Sequence, residues 1–280
     1  MNTLYDILEK LFPFSWIEYN FMKNALLAVI IITPLFGILG TMIVNNRMAF
    51  FSDALGHSAL TGIALGAIIG IADTDISMTV YAIIFAVLLN YIKNKKTLST
   101  DTLISVFSSF SMALGLVILS RGGNFSKYSS LLLGDILSIT PREIGLLCIV
   151  FIVTLLYWLA GFNKLHSVSI NTSLAKSKKI NTNLIEASFC ILIAVIVMLS
   201  IKWVGILIIN ALLTLPAAAS RNIASNMREY HLFSLLISVF SGITGLILSY
   251  YLGTATGPTV VIIAASIFFI TLIFGTIKSK

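Results

Sequence analysis

Asp53 and His57 lie four residues apart in the segment MAFFSDALGHSALTGIALG, which otherwise consists of apolar and small residues. In an α-helix this spacing places both side chains on one face, about 6 Å apart along the axis. A carboxylate and an imidazole together suit a borderline divalent cation such as Zn²⁺ or Mn²⁺. Ionisable side chains are costly within a long apolar segment, so this pair is the first candidate for chemistry.

Three other roles are open for the pair. Asp53 can cap a helix N-terminus, where negative charge is favoured. The two side chains can form a buried ion pair that only fixes packing, or His57 can hydrogen-bond a carbonyl of a neighbouring helix. Counted from Arg47, His57 lies about 15 Å into the segment, which is near the middle of a bilayer. The many Gly, Ala and Ser residues around it indicate a helix packed inside a bundle, which favours the metal role slightly.

Three more polar residues are candidates for lining a pathway. Asp135, in SLLLGDILSI, suits either a vestibule or the cap of a short helix, and the two interpretations are equal. Asn210 and Thr214 share the segment INALLTLPAAAS with Pro216, which frees a backbone carbonyl in the preceding turn. Packing is the simpler explanation for that segment, and pathway lining is the more specific one.

The remaining histidines and both cysteines have plainer interpretations. His166 lies in a polar loop and His231 at a span boundary, so surface positions are predicted for both. Cys148 and Cys190 fall inside apolar runs. They are predicted to be small apolar side chains rather than a disulfide or a metal pair.

The elements that carry these residues are too apolar for a soluble domain. The chain has 280 residues, of which 58% are hydrophobic and 10% charged, whereas soluble domains are about a quarter charged. The composition predicts an all-α integral membrane protein, a bundle of about eight to ten spans in one domain over residues 1–280. The apolar stretches lie at 21–44, 48–72, 76–92, 102–120, 142–161, 184–201, 203–220, 232–251 and 259–277.

The chain ends and the loops predict how the protein lies in the membrane. Residues 1–20 have apolar side chains at near-helical spacing, which predicts an interfacial helix. The first apolar run is too long for a cleavable signal peptide. Most of the 18 Lys and Arg residues fall in inner loops if the N-terminus is outside. Because basic residues gather on the cytoplasmic side, a multi-pass protein of the cell membrane with an inner C-terminus is predicted, and nucleic-acid binding is not.

One inner segment, residues 161–183, is the longest hydrophilic stretch between predicted spans. It is either a solvated loop or a docking surface for a cytoplasmic partner. A short helix is predicted inside it, formed by Ser173, Leu174, Ala175, Lys176, Ser177, Lys178 and Lys179. The sequence contains no G-x-x-x-x-G-K-[ST], H-E-x-x-H or G-x-S-x-G motif, so no enzymatic activity is expected in this chain.

Several stretches together resemble the permease subunits of bacterial metal-ion ABC uptake transporters, the zinc, manganese and iron group. The resemblance begins at EYNFMKNALLAVIIITPLFGILGTMIVNNRMAFFSDALGHSALTGIALG, with a D-A-x-x-H helix, and continues through LLLGDIL. It goes on through NTNLIEASFCILIAVIVMLSIKWVGILIINALLTLPAAAS and ends, more weakly, at SYYLGTATGPTVVI. It therefore covers about residues 18–270.

The resemblance implies a homodimer that imports a divalent metal, Zn²⁺ or Mn²⁺, by alternating access. It implies a separate cytoplasmic ATPase subunit, an extracellular solute-binding protein and no permanently bound cofactor. Asp53 and His57 match the D-A-x-x-H positions, which implies metal contact in transit. Residues 165–183 lie where such permeases place the coupling helix that docks on the ATPase.

One position departs from the family pattern. Relatives often have an acidic residue in a final turn resembling YLDLPTGP, and this chain has Gly253 there. That turn therefore supplies no third carboxylate, and the metal does not follow from the resemblance. Two alternatives are a proton-coupled secondary transporter or cation channel, in which Asp53 and His57 relay protons, and a structural scaffold. The polar segment favours the ABC permease, because a stand-alone carrier needs no docking helix.

Overall fold

The computed structural model of the chain describes residues 5, 9, 15–71, 73–93, 99–121 and 134–278. Within these ranges the chain forms helices and turns and no strand. Two single 3₁₀ turns lie at Ser15–Glu18 and Ile136–Ser138. The α-helices are α1 (Asn20–Asn45), α2 (Phe51–Ile69), α3 (Thr74–Lys93), α4 (Thr100–Arg121), α5 (Pro141–Ile170), α6 (Thr172–Ser177), α7 (Thr182–Val204), α8 (Ile206–Ile223), α9 (Met227–Leu252) and α10 (Thr256–Lys278).

Every α-helix of the described residues except α6 is long and apolar enough to cross a membrane, which gives nine candidate spans. The predicted all-α membrane bundle of eight to ten spans is confirmed. Most predicted boundaries lie within a few residues of the helix ends. The exception is α5, which was expected to end at 161 and continues to Ile170. A polar sequence ends the apolar span there but does not end the helix, because Asn, Lys and His are tolerated in a solvated helix.

The predicted interfacial helix over residues 1–20 falls largely outside the described residues and stays a prediction. Of that segment, Tyr5, Glu9 and the 3₁₀ turn are described. Trp16 and Ile17 in this turn are buried. Lys23 of α1 pairs with Glu9.

By its internal contacts the chain divides into two compact units. Unit 1 comprises residues 1–41, 134–155 and 203–280, and unit 2 comprises residues 42–133 and 156–202. In unit 1, α8, α9 and α10 pack on one another, and in unit 2 α2 packs against both α3 and α4. The prediction of one domain over residues 1–280 stays a prediction.

In unit 1, serine hydroxyls and small residues join the helices. Ser234 and Ser238 of α9 donate hydrogen bonds, each 2.7 Å long, to the carbonyl oxygens of Gly37 and Thr33 in α1. Helices in lipid associate through close backbone approach and polar bonds of this kind, since lipid supplies no hydrophobic drive between them.

In unit 2, α2 is the central helix, with 67% of the residues in its spanning window buried against 28% in α4. Its Thr61 hydroxyl donates to the Ser111 carbonyl of α4, and the Ser111 hydroxyl lies 3.2 Å from the Thr61 hydroxyl. Tyr81 of α3 is 3.0 Å from the same Ser111 hydroxyl. A Cβ atom at Gly115 would lie 2.7 Å from the Thr61 backbone nitrogen. The approach of α4 to α2 therefore requires glycine at 115.

We expect Gly115→Ala to destabilise unit 2 by about 1–3 kcal/mol, because the added methyl group must push α4 away from the α2 backbone. The measurement is the midpoint of thermal unfolding of the detergent-solubilised protein. Gly145→Ala is the matched control, because Gly145 lies in α5 with no atom within 4 Å of an added Cβ. An equal loss for both variants, or no loss for Gly115→Ala, would contradict the packing described here.

Candidate metal-binding site

A tight turn between α1 and α2 sets the start of the candidate site. Arg47 adopts a left-handed φ of 55°, and the Met48 amide donates to the Ile43 carbonyl at 2.9 Å. Phe50 occupies the N-cap position of α2 and makes no side-chain capping bond. Asp53 lies in the first turn of α2. The helix dipole favours a carboxylate in that position.

Asp53 and His57 meet as the spacing predicts. The His57 Nε2 atom is 3.5 Å from an Asp53 carboxylate oxygen, and the two side chains are 32% and 45% exposed, respectively. Within this chain the pair is therefore not fully buried. His57 Nδ1 has no hydrogen-bond partner within the described ranges, so no carbonyl bond of the expected kind is found for it there. At 3.5 Å the contact within the pair is long for an ion pair.

The pair opens into a cavity of about 230 Å³ within unit 2, between α2 and α4. Six waters at about 30 Å³ each would occupy about 180 Å³, so the cavity can hold a divalent cation with most of its hydration shell. Hydroxyl groups and one thioether add weak ligands to the carboxylate and imidazole. The lining residues are Phe50, Asp53, His57, Ile104, Ser105, Ser108, Ser109 and Met112.

Two side chains in this cavity, Asp53 and His57, are of the types that bind metals strongly. Among the residues that the structure describes, no group of three or more His, Cys, Asp or Glu side chains is placed to hold a metal. Structural zinc sites close with four protein ligands. The described residues of this cavity therefore do not supply the four ligands of a structural zinc site.

Gly253, which stands where relatives often have an acidic residue, has a structural role of its own. It is the C-cap of α9 with a left-handed φ of 62°, and its amide approaches the carbonyl oxygens of Ser249 and Tyr250. Left-handed C-caps favour glycine, since it has no Cβ penalty there. The turn is thus stable as a helix end without an acidic residue.

Asp135 lies in unit 1 and acts as a cap. It is the N-cap residue of the 3₁₀ turn Ile136–Ser138, and its carboxylate accepts the Leu137 amide at 3.0 Å. The capping interpretation is confirmed. The side chain is exposed, and its predicted role in lining a vestibule stays a prediction.

Asn210 and Thr214 lie one turn apart in α8 of unit 1, both half-buried. The Thr214 hydroxyl donates to the Asn210 carbonyl at 2.7 Å. That bond supplies a packing role for the hydroxyl in a helix containing Pro216. Pathway lining by either residue stays a prediction.

His166 and His231, for which surface positions are predicted, are both half-buried. His166 belongs to the last turns of α5 rather than to a loop, and its ring stacks on Phe162 with centroids 5.7 Å apart. His231 Nδ1 lies 2.8 Å from the Thr41 hydroxyl. Neighbouring helical side chains cover both rings. Cys148 and Cys190 are both free cysteines.

The predicted short helix is present and begins one residue earlier than expected, and its docking role stays a prediction. Asn171 caps α6 by accepting the amides of Ser173 at 2.9 Å and Leu174 at 3.1 Å. Within α6, Ala175 is fully buried and Leu174 is 51% exposed.

The last two residues assigned to that helix lie beyond it. The helix ends at Ser177, Lys178 is its C-cap, and Lys179 has a left-handed φ of 58°. Asn181 accepts the Leu184 amide at 3.2 Å and therefore caps the start of α7. A left-handed residue reverses the chain and cannot extend the helix.

Two features escaped the sequence reasoning. Lys93 at the end of α3 pairs with Glu186 of α7 at 3.0 Å, with 19% and 15% of the side chains exposed. Glu186 is an acidic residue inside an apolar run of the sequence. Because such a charge is costly without a partner, its position could have indicated an ion pair. The hydroxyl face of α4 was also missed, although Ser105 and Ser109 are four residues apart.

In the described part of the chain, nine candidate spans and a carboxylate–imidazole pair are typical of a polytopic membrane transport protein. The profile of the ABC 3 transport family matches residues 18–275. The chain belongs to that family, and the resemblance inferred from its motifs is confirmed.

Named relatives and a solved structure match almost the whole chain. The high-affinity zinc uptake system membrane protein ZnuB of Haemophilus influenzae is 34% identical over 258 residues, 91% of this chain and 97% of that protein. The manganese import system permease protein ScaB of Streptococcus gordonii is 28% identical, over 91% of each chain. The solved structure of PsaBC from Streptococcus pneumoniae in complex with Fab superimposes with a TM-score of 0.78 at 26% identity, covering 97% of this chain and 95% of that one.

Proposed function

We propose that this chain is the membrane permease of an ABC importer that moves a divalent metal ion, Zn²⁺ or Mn²⁺, into the cell. The observation that carries the proposal is the Asp53–His57 pair, with its 3.5 Å contact and its cavity. Relatives named as zinc and manganese permeases support the same substrate class. Imidazole favours zinc and carboxylate favours manganese, so one of each suits both ions.

The pair acts by exchanging ligands with a partly hydrated cation. The Asp53 carboxylate neutralises part of the ion's charge, and a neutral His57 offers a nitrogen lone pair. Waters and the serine hydroxyls of α4 complete the shell. With two strong ligands the ion dissociates readily, as a transport path requires, because binding must permit both entry and exit.

Energy for the cycle comes from a partner. The chain has no phosphate-binding loop. A cytoplasmic ATPase subunit docks on α6 and drives alternating access, and an extracellular solute-binding protein delivers the metal. The N-terminus is then outside and the C-terminus inside, as the positive charges indicate. Asp135, Asn210 and Thr214 are proposed to line this path.

Two copies of the chain form the complete pathway in this proposal. Helix α4, which lines the cavity of Asp53 and His57, exposes hydroxyl groups along its length. Only 28% of the residues in its spanning window are buried within one copy of the chain. Polar faces in membrane spans turn to a bundle interior or an aqueous path rather than to lipid. A second copy would cover that face.

Asp53→Asn and His57→Gln are each expected to lower ATP-dependent metal accumulation by about tenfold or more, because a ligand is lost with little change in volume. The measurement is elemental analysis of cells or proteoliposomes that contain the complete transporter. Asp75→Asn and His166→Gln are the matched controls, since these residues lie outside the cavity lining.

Normal uptake by both site variants would refute the proposed site. Proton-driven uptake by the chain without any ATPase would instead establish a secondary transporter, the alternative reading of the same pair.

Leu174→Glu is expected to abolish co-purification of the ATPase subunit, because it places a carboxylate on the exposed apolar side chain of α6. Arg228→Glu is the matched control, adding a carboxylate at an exposed position in the first turn of α9. Pull-down from membranes measures the partner's amount per permease. Retention of the ATPase by Leu174→Glu would contradict docking on α6.

A further inference from the structure

A second cavity adjoins the candidate metal site. It has a volume of about 390 Å³ and is lined by Phe50, Asp101, Thr102, Ser105 and Val106. Phe50 and Ser105 also line the cavity of Asp53 and His57. The two cavities therefore meet at these shared residues, within unit 2.

The residues that join the cavities form a polar stripe on α4. Asp101, Ser105 and Ser109 follow at intervals of four and are all exposed. Their spacing places them on one face of the helix, over about 12 Å along its axis. Packing of α4 on α2 uses the hydroxyl of Ser111 on another face. The stripe therefore lines the two cavities, and the contact with α2 does not use it.

Asp101 lies in the first turn of α4, where the helix dipole favours a carboxylate, but it is not the cap of that helix. The Thr102 amide donates to the Ser99 hydroxyl at 3.2 Å, so Ser99 supplies the side-chain cap of α4. Asp101 also lines the second cavity. A cation that leaves the two-ligand site of Asp53 and His57 first meets the weak hydroxyl ligands of α4. The carboxylate of Asp101 lies beyond these hydroxyls and is suited to receive it.

We propose that Asp101 is a second metal contact, which receives the ion from Asp53 and His57 along the serine stripe of α4. This proposal rests on the proposed function. With the N-terminus outside, the Asp101 end of α4 faces the cytoplasm, so Asp101 acts in release to the cell. The step moves the ion between carboxylate, hydroxyl and water ligands and changes no covalent bond.

The test compares Asp101→Asn and Asp101→Glu in the complete transporter with its ATPase. The initial rate of Mn²⁺ or Zn²⁺ uptake is expected to fall roughly fivefold or more in Asp101→Asn, because release loses its charged ligand. Asp101→Glu keeps the carboxylate and is expected to restore the rate to within about twofold. Asp75→Asn, a carboxylate-to-amide change in the first turn of α3, is the matched control and keeps the wild-type rate.

Equilibrium binding of Mn²⁺ to the purified transporter separates this role from a structural one. Asp101→Asn is expected to bind Mn²⁺ with unchanged affinity, since Asp53 and His57 are intact. Loss of that binding, or a rate loss that Glu does not restore, would assign Asp101 a structural role and overturn the inference.

The outcomes also separate this inference from the proposed function. A normal rate in Asp101→Asn beside a lost rate in Asp53→Asn would overturn the second contact alone. Normal rates in Asp101→Asn, Asp53→Asn and His57→Gln together would overturn both.

Discussion

The cost of placing charge in a bilayer is the constraint on which the rest of this structure depends. A carboxylate and an imidazole lie in α2, and an isolated charge at the centre of a span costs about 2.5–3.5 kcal/mol on an insertion scale. The protein meets that cost with a contact of 3.5 Å, a cavity that admits water, and hydroxyl groups across it. The result is a polar pocket within unit 2 rather than a closed metal site.

Close helix packing positions this pocket. Gly115 lets α4 approach the α2 backbone, and the bonds between Thr61 and Ser111 fix one helix against the other. On the polar face of α4, Ser105 and Ser109 line the cavities instead of packing closely against another helix. One face of α4 therefore provides stability, and the other provides weak ligands at regular steps.

The spans and the pair were predictable from sequence because hydropathy and a four-residue spacing are local properties. The cavity was not, since its serines become relevant only when α4 is known to pack against α2. The Lys93–Glu186 pair likewise joins residues far apart in sequence. The end of α5 predicted from polarity was also wrong, because a helix can continue into water beyond its membrane span. Asp135 required backbone geometry to decide that it caps a turn.

The proposed transport site depends on direct binding of the metal by His57. Pulsed electron paramagnetic resonance of Mn²⁺ bound to the purified transporter tests this binding, because an imidazole ligand couples its ¹⁴N nucleus to the metal. Nitrogen coupling is expected in the wild type and in His166→Gln, and its loss is expected in His57→Gln. A coupling that persists in His57→Gln, or a wild-type spectrum without nitrogen coupling, would show that His57 is not a ligand.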